Sequence, residues 1–245
     1  DKIYVCGGQR EQYYMNELDV FDTTVEEWTS LKPMKYARHG IGIAALDGYI
    51  YVAGGWDSEK RLSVVERYSI ERDEWDEVSP MKYERSGLEL VAHNGFLYAI
   101  AGFRNGTYLN IVEKYDPKHD EWIRIANTNH RDYSSSGAAV YMDQIFIAGE
   151  NKCEAYNEED NIWEIKPDPT NFLGGRRLVV FENRLMTLGG SNGNWKGDKN
   201  VQVLDLSENR WINFREMDVS RCYPAVGVVT KKCSNPQCLV HSHLH

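Results

Sequence analysis

A pattern that returns every 47 residues limits what this chain can fold into more than any other feature. Trp28, Trp75 and Trp122 stand 47 residues apart, and the doublets Gly7-Gly8, Gly54-Gly55 and Ala101-Gly102 keep the same interval. The clearest copy runs from Gly40 to Trp75. It contains an apolar Gly-rich segment, an Asp47-Gly48 turn, the run Tyr49 to Val52, a glycine doublet, a variable loop, Val64 to Tyr68, an acidic turn and a tryptophan. Self-similarity at a fixed period of this length marks stacked solenoid or propeller units.

Two further copies are looser. A fourth, Ser134 to Ile165, keeps Gly149, Tyr156 and Trp163 but has Glu150 in place of the second glycine. A fifth, Gly174 to Phe214, keeps Gly189-Gly190 and Trp211. Each unit reads as four short strands, A to D, bounded by turn residues, and no helical period competes. A lone four-stranded sheet cannot bury both faces, so the units must stack radially as blades. The strand-D tryptophan is large enough to fill the gap between neighbours. Glycines crowd strand A, where chains converge on the axis and side chains lack room.

The expected fold is therefore an all-β propeller of five four-stranded blades, six being the alternative if one blade is missing. Blade 1 combines 1–34 with 219–230, and the other blades cover about 36–80, 83–127, 131–167 and 172–216. The last segment, Arg221 to Val229, reads as a strand A that completes the first blade and closes the ring. Residues 231–245 read as a disordered tail.

Composition narrows the function classes. A net charge of −9 argues against bulk nucleic-acid binding, and no apolar run is long enough for a membrane helix. Five cysteines form an odd, sparse set, suited to free thiols in a reducing compartment. The chain opens directly on a strand pattern without a signal peptide, so it is expected to be a domain cut from a longer cytoplasmic protein, with nuclear or cytoskeletal association as alternatives.

The Gly-Gly, Tyr and Trp marks, with an Arg opening strand A, resemble the kelch repeat over nearly the whole chain. The closing Arg-to-Val229 strand and its Cys-containing tail are similar to the end of kelch domains in BTB–BACK–kelch proteins. That resemblance implies a propeller that recruits substrates for cullin-3 ubiquitin ligases, or one that binds cytoskeletal partners. Cullin-3 itself would be reached only through BTB and BACK segments, which this sequence does not contain. The propeller is expected to be monomeric, without cofactor and without catalytic residues.

In a propeller the D–A and B–C loops share one face and the A–B and C–D turns the other. The C–D turns are acidic, with Glu26, Glu71, Asp73, Asp120 and Glu158 among others. The opposite face gathers Arg10, Lys32, Lys35, Arg38, Lys60, Arg61, Arg85, Arg104, Arg131, Arg176, Arg177 and Arg221. Such a basic mouth suits a peptide bearing carboxylate or phosphate, which guanidinium forks bind bidentately. Aromatic residues join it on the variable loops: Tyr13, Tyr14, Trp56, Phe103, Tyr108 and Trp195, with Asn105 and Asn192 beside them. By family position, ligand contacts fall on Gln9, Trp56, Phe103 and Ser191 after the doublets. After the strand-A Arg they fall on His39, Ser86, Ser134 and Cys222, with Tyr133 next to Ser134. The fifth unit departs from this pattern, with Leu173-Gly174 where Arg-Ser is expected. The plainer alternative for Arg38, Arg85 and Arg221 is that they pair with nearby carboxylates and brace the loops.

Other candidates are weaker. The tail residues Cys233, Cys238, His241, His243 and His245 have spacings a Zn²⁺ ion could use, but they lack paired knuckles, so no metal is expected. Cys6 and Cys153 read as small buried apolar groups. Cys222 reads either as an inert thiol or as an electrophile sensor beside Arg221.

Overall fold

A computed structural model describes residues 1–131, 133, 136–150, 152–170, 174–191, 196–222, 224, 226 and 228. The chain forms a five-bladed β-propeller whose regular elements, among the described residues, are all strands. Blade 1 comprises β1 (Lys2–Arg10), β2 (Tyr13–Asp22) and β3 (Glu27–Leu31). Blade 2 holds β4 (Gly42–Leu46), β5 (Tyr49–Ala53), β6 (Val65–Ser69) and β7 (Glu74–Val78). Blade 3 has β8 (Glu89–His93), β9 (Phe96–Ile100), a loop hairpin β10 (Phe103–Arg104) and β11 (Thr107–Tyr108), then β12 (Val112–Asp116) and β13 (Glu121–Arg124). Blade 4 contains β14 (Gly137–Tyr141), β15 (Gln144–Gly149), β16 (Lys152–Asn157) and β17 (Ile162–Lys166). Blade 5 contains β18 (Arg177–Phe181), β19 (Arg184–Leu188), β20 (Asp198–Asp205) and β21 (Arg210–Arg221). Every ladder is antiparallel, in the A-B-C-D order of a meander.

Local sequence explains the short connections. Asp47-Gly48 and Asn94-Gly95 place two successive residues at positive φ, the backbone of the tight hairpin turn that matches strand twist. Gly54 shows why the doublets recur. It sits at φ +65°, and a Cβ built there would stand 2.5 Å from the carbonyl oxygen of Arg85 on the next blade. In blade 3 this position is Ala101, held at φ 57°. At the axis a Cβ on Gly137 would meet the amide nitrogen of Leu178 at 2.1 Å, so β14 and β18 can converge only with glycine there.

The core lies between blades. Tyr51, Ala53 and Val65 of blade 2 pack on Leu88, Leu90 and Tyr115 of blade 3, and Ile100 and Val112 pack on Ile145 and Trp163 of blade 4. The strand-D tryptophans take the expected place and each also ties blade to blade. Nε1 of Trp75, Trp122, Trp163 and Trp211 donates to the carbonyl oxygen of Lys32, Ser79, Ala126 and Pro167 respectively, at 2.7 to 3.1 Å. Trp28 is the exception to the gap-filling expectation. It lies on β3 of blade 1 and is 57% exposed.

The C-terminal end differs from expectation. Residues 219–221, assigned to the closing strand, instead end the outer strand of blade 5, with Arg221 opposite Asp198 across two register shifts. Blade 1 has three strands among the described residues. Pro224, Val226 and Val228 carry no strand, while 223, 225, 227 and 229 onward lie outside the described residues. The segment nevertheless docks as the start of a next blade would. Arg221 O accepts from Gly190 N at 3.0 Å, as Arg38 O does from Gly8 N and Arg85 O from Gly55 N. Val226 packs against Met186, Leu188, Val201 and Val203 of blade 5.

Candidate functional site

The loops that follow the glycine doublets zip through the main chain to the D–A loops that lead into their own blades. His39 N donates to Trp56 O at 3.2 Å and Trp56 N to His39 O at 2.9 Å. Ser86 and Phe103 repeat the pair at 3.2 and 2.8 Å. Side chains then form two contact groups across blades 1 to 3, joined by the main-chain pair of His39 and Trp56. Tyr14 stacks on His39 with ring centres 4.8 Å apart and planes 7° from parallel. The Arg61 guanidinium lies between two rings, 4.8 Å from the centre of Trp56 and 4.5 Å from that of Phe103. Phe103 meets Tyr108 edge-on at 5.1 Å, within the β10–β11 hairpin. Beside these groups, Arg104 pairs with Glu84 at 2.8 Å and approaches Tyr83. Burial pushes the Glu84 carboxyl up, but the hydrogen bond and charge of Arg104 together with a main-chain amide outweigh it and hold the group below its ordinary range. Burial alone lowers His39, which favours the neutral imidazole.

The structure brings together Tyr14, His39, Ser86, Trp56, Phe103, Arg104 and Tyr108 of the expected contacts. Gln9, Arg10, Tyr13 and Asn105 are exposed at loop tips next to them, Gln9 donating to Glu11 O. Arg131 is exposed on blade 4, and Arg221 and Cys222 are half-buried at the edge of blade 5. Ser134, Leu173, Asn192 and Trp195 lie outside the described residues, as does the Cys/His tail.

Four expected contacts require correction. Arg38 and Arg85 are 0% exposed and cannot touch a ligand on this face. Arg38 pairs with Glu66 at 2.8 Å and donates to the carbonyl oxygens of Gly54, Val64 and Val52. Arg85 pairs with Glu113 and donates to the carbonyls of Ala101 and Ile111. The bracing alternative holds for both. The signal was present in the sequence: Glu66 and Glu113 each follow their arginine by 28 residues and interrupt apolar strands, where a buried carboxylate must find a partner. Tyr133 is also fully buried, donating through its hydroxyl to Glu154 at 3.0 Å. Ser191 is buried too, its amide donating to Gly174 O. Gly174 thus stands where His39 and Ser86 stand, and Arg176, not an arginine at 173, fills the blade-5 interior.

The basic mouth is correspondingly thinner than charge counting suggests. Lys32 and Lys35 lie against blade 2, the first giving its amide to Asp73 and the second its Nζ to Glu77. Arg177 turns towards the axis onto Glu89 at 3.1 Å and the Ser136 carbonyl. Burial raises the Glu89 carboxyl, and Arg177 offsets part of that rise. Arg61 is the residue that residue-by-residue reading passed over. It belonged to the basic face by position, but its place between two aromatic rings depends on where two separate loops meet.

Residues 1–150 match the family model described as the KLHDC2/KLHL20/DRC7 Kelch-repeats domain. The chain belongs to the Kelch-repeat family. Among solved structures, one titled "Structure of YjhT" superposes with a TM-score of 0.76 over 89% of this chain and 85% of that one, at 14% identity, a likeness of fold. No curated protein matches the chain. Kelch propellers serve in general as protein-interaction scaffolds, and this one presents aromatic and charged loops on its D–A/B–C face. Among the described residues no group of three or more His, Cys, Asp or Glu side chains is placed to hold a metal ion, and no helix is long and apolar enough to cross a membrane. Burial drives the Cys6 and Cys153 thiols up to about 12, so neither forms a reactive thiolate near neutral pH.

Proposed function

We propose that this Kelch propeller binds an extended protein segment across the D–A/B–C loop face of blades 1 to 3. The observation that carries the reading is the pair of contact groups Tyr14–His39 and Trp56–Arg61–Phe103–Tyr108, joined by the paired main-chain bonds of His39 and Trp56. Rigid aromatic groups with an interleaved guanidinium give large contact area at low entropic cost, the make-up of binding hot spots. The segment is acidic, carrying carboxylate or phosphate groups that meet Arg61 and the exposed Arg10 and Arg131. In this reading the propeller is the substrate-recognition part of a cytoplasmic cullin-3 ligase adaptor whose BTB and BACK domains make the ligase contact, and it performs no reaction itself. The adaptor role is supported by the resemblance of the repeat to BTB–BACK–kelch proteins.

Selection of short random peptides against the domain tests the binding reading. Acidic sequences should be enriched, and Trp56→Ala should weaken the selected peptides by about tenfold or more. Peptides that bind Trp56→Ala as tightly as the native domain would place the site elsewhere.

A further inference from the structure

We propose that Arg61 is the receptor for a single carboxylate group of the bound segment, a refinement that rests on the peptide-binding reading above. Arg176 gives its donors to neutral acceptors inside blade 5, and four other arginines at or beneath this face have their charge paired with a carboxylate. Arg38 holds Glu66, Arg85 holds Glu113, Arg104 holds Glu84 and Arg177 holds Glu89. Arg61 is equally fixed, by the rings of Trp56 and Phe103, yet among the described residues no acceptor bonds its guanidinium. Its Nε is buried without a partner, so the proposed carboxylate is met by the terminal pair of nitrogens. Of the carboxylates on its own loop, Glu59 is exposed and makes no ion pair with it, and Asp57 turns away onto the amides of Glu59 and Lys60 at 3.0 and 2.8 Å. A cation held between aromatic planes has already lost its rotamer freedom, so a bidentate anion meets it at reduced entropic cost.

The charge around Arg61 selects between the two acidic ligand types. A phosphate dianion is best received by several cations together. Here the neighbouring guanidinium of Arg104 is engaged by Glu84, and His39 is held neutral by burial. The exposed Lys60 beside it is held by no ring or ion pair among the described residues, so Arg61 is the single uncommitted cation fixed in place here, and one fixed positive charge matches one negative charge, the side chain of Glu or Asp. Trp56 and Phe103, whose other faces border the guanidinium, then receive the apolar flanks of that residue.

The test uses positional peptide pools immobilised on a surface, random except for one fixed Glu, Gln or phosphoserine, probed with the intact domain and with Arg61→Met. Methionine keeps a chain of similar length between the rings, and an unchanged melting temperature shows that the loops stay packed. The expected result is a preference for Glu over Gln pools of about tenfold, the scale of one charge-assisted hydrogen-bond pair, that disappears in Arg61→Met. A preference that survives in Arg61→Met overturns the assignment while leaving peptide binding intact. Phosphoserine pools bound more tightly than Glu pools, in an Arg61-dependent manner, overturn the choice of carboxylate. Absence of binding to every pool by the native domain overturns the peptide-binding reading itself.

Discussion

Blades 2 and 3 seat a buried guanidinium on a buried carboxylate, whereas blades 4 and 5 each retain one half of that pair. In blade 4 the carboxylate remains. Glu154 is fully buried, and no cation pairs with it among the described residues. It is satisfied instead by Asn129 N and Nδ2 at 2.8 Å, His130 N at 3.1 Å and the Tyr133 hydroxyl at 3.0 Å. In blade 5 the guanidinium remains. Arg176 donates to Thr187, Gln202 and Thr170, with Gln202 in the strand position of Glu66. Burial lowers Arg176, and Asp198 counters part of the effect, but a guanidinium stays charged. The comparison separates two jobs that the Arg–Glu pair performs together. Satisfying the carboxylate needs only donors, and Tyr133 with three amides suffices. Clamping the roots of the B–C loop needs a fork, because Arg38 gathers the carbonyls of Gly54 and Val64 at once. The two forked blades are also the ones whose B–C loops carry Trp56, Arg61 and Phe103.

The largest effect should come from breaking a forked brace. Glu113→Ala leaves the Arg85 charge buried without its carboxylate and is expected to cost about 3–5 kcal/mol in urea unfolding. Replacing both partners by apolar residues of similar size, Arg85→Met with Glu113→Leu, should restore most of that stability, because neither charge then has to be buried. The double variant should still lose peptide affinity, since the clamp on the Ala101 and Ile111 carbonyls is gone. A double variant that binds as tightly as the native domain would separate the brace from the site.

The unforked blade should be less sensitive. Tyr133→Phe removes one of the four donors to Glu154 and should cost roughly 1.5–3 kcal/mol, the range for a hydrogen bond to a charged group. If it costs as much as Glu113→Ala, the three amide donors do not share the load as their geometry suggests.

How much of this was legible in the chain follows from the same contrast. The blades were readable because Trp75, Gly54-Gly55 and the Asp47-Gly48 turn are local signals that recur at fixed spacing. The loop aromatics Trp56, Phe103 and Tyr108 were readable because they follow those marks. The roles of Arg38 and Arg85 were not settled, since a residue at a strand entrance can point into the blade or out of it. Their partners lie 28 residues away, and the recurrence of Glu66 and Glu113 at that interval was the clue. Tyr133 was harder still, because a phenol replaces a guanidinium there. Arg61 gains its meaning from rings on two different blades, a coincidence in space that no spacing along one blade encodes.

The smallest effect distinguishes blades 2 and 3 from blade 4 on the opposite face. There an αL residue in each C–D turn accepts a main-chain amide from the preceding blade and a tyrosine hydroxyl from its own. Asp120 takes Ser79 N at 2.9 Å and Tyr115 OH at 2.7 Å, and Asp73 takes Tyr68 OH at 2.6 Å. Blade 4 has the amide version, with Asn161 taking Ala126 N at 3.0 Å and Tyr156 OH at 2.9 Å. The hydrogen bond from Tyr68 holds Asp73 below its usual range. Burial pushes Asp120 up, but the bonds from Ser79 and Tyr115 outweigh it and leave it low as well. A carboxyl whose folded value is depressed contributes stability above its unfolded value, and that contribution is lost as pH falls through the folded one. Acidification from about pH 5 to about pH 2 should therefore loosen the Asp latches and leave the Asn161 latch unchanged. After correction for intrinsic rates, hydrogen exchange at the Ser79 amide should rise roughly two- to five-fold relative to Ala126, a modest figure because these carboxylates are largely solvent-screened. Equal responses at Ser79 and Ala126 would mean that the charge on Asp120 adds nothing to the contact between blades 2 and 3, and that aspartate and asparagine serve the turn alike through backbone conformation alone.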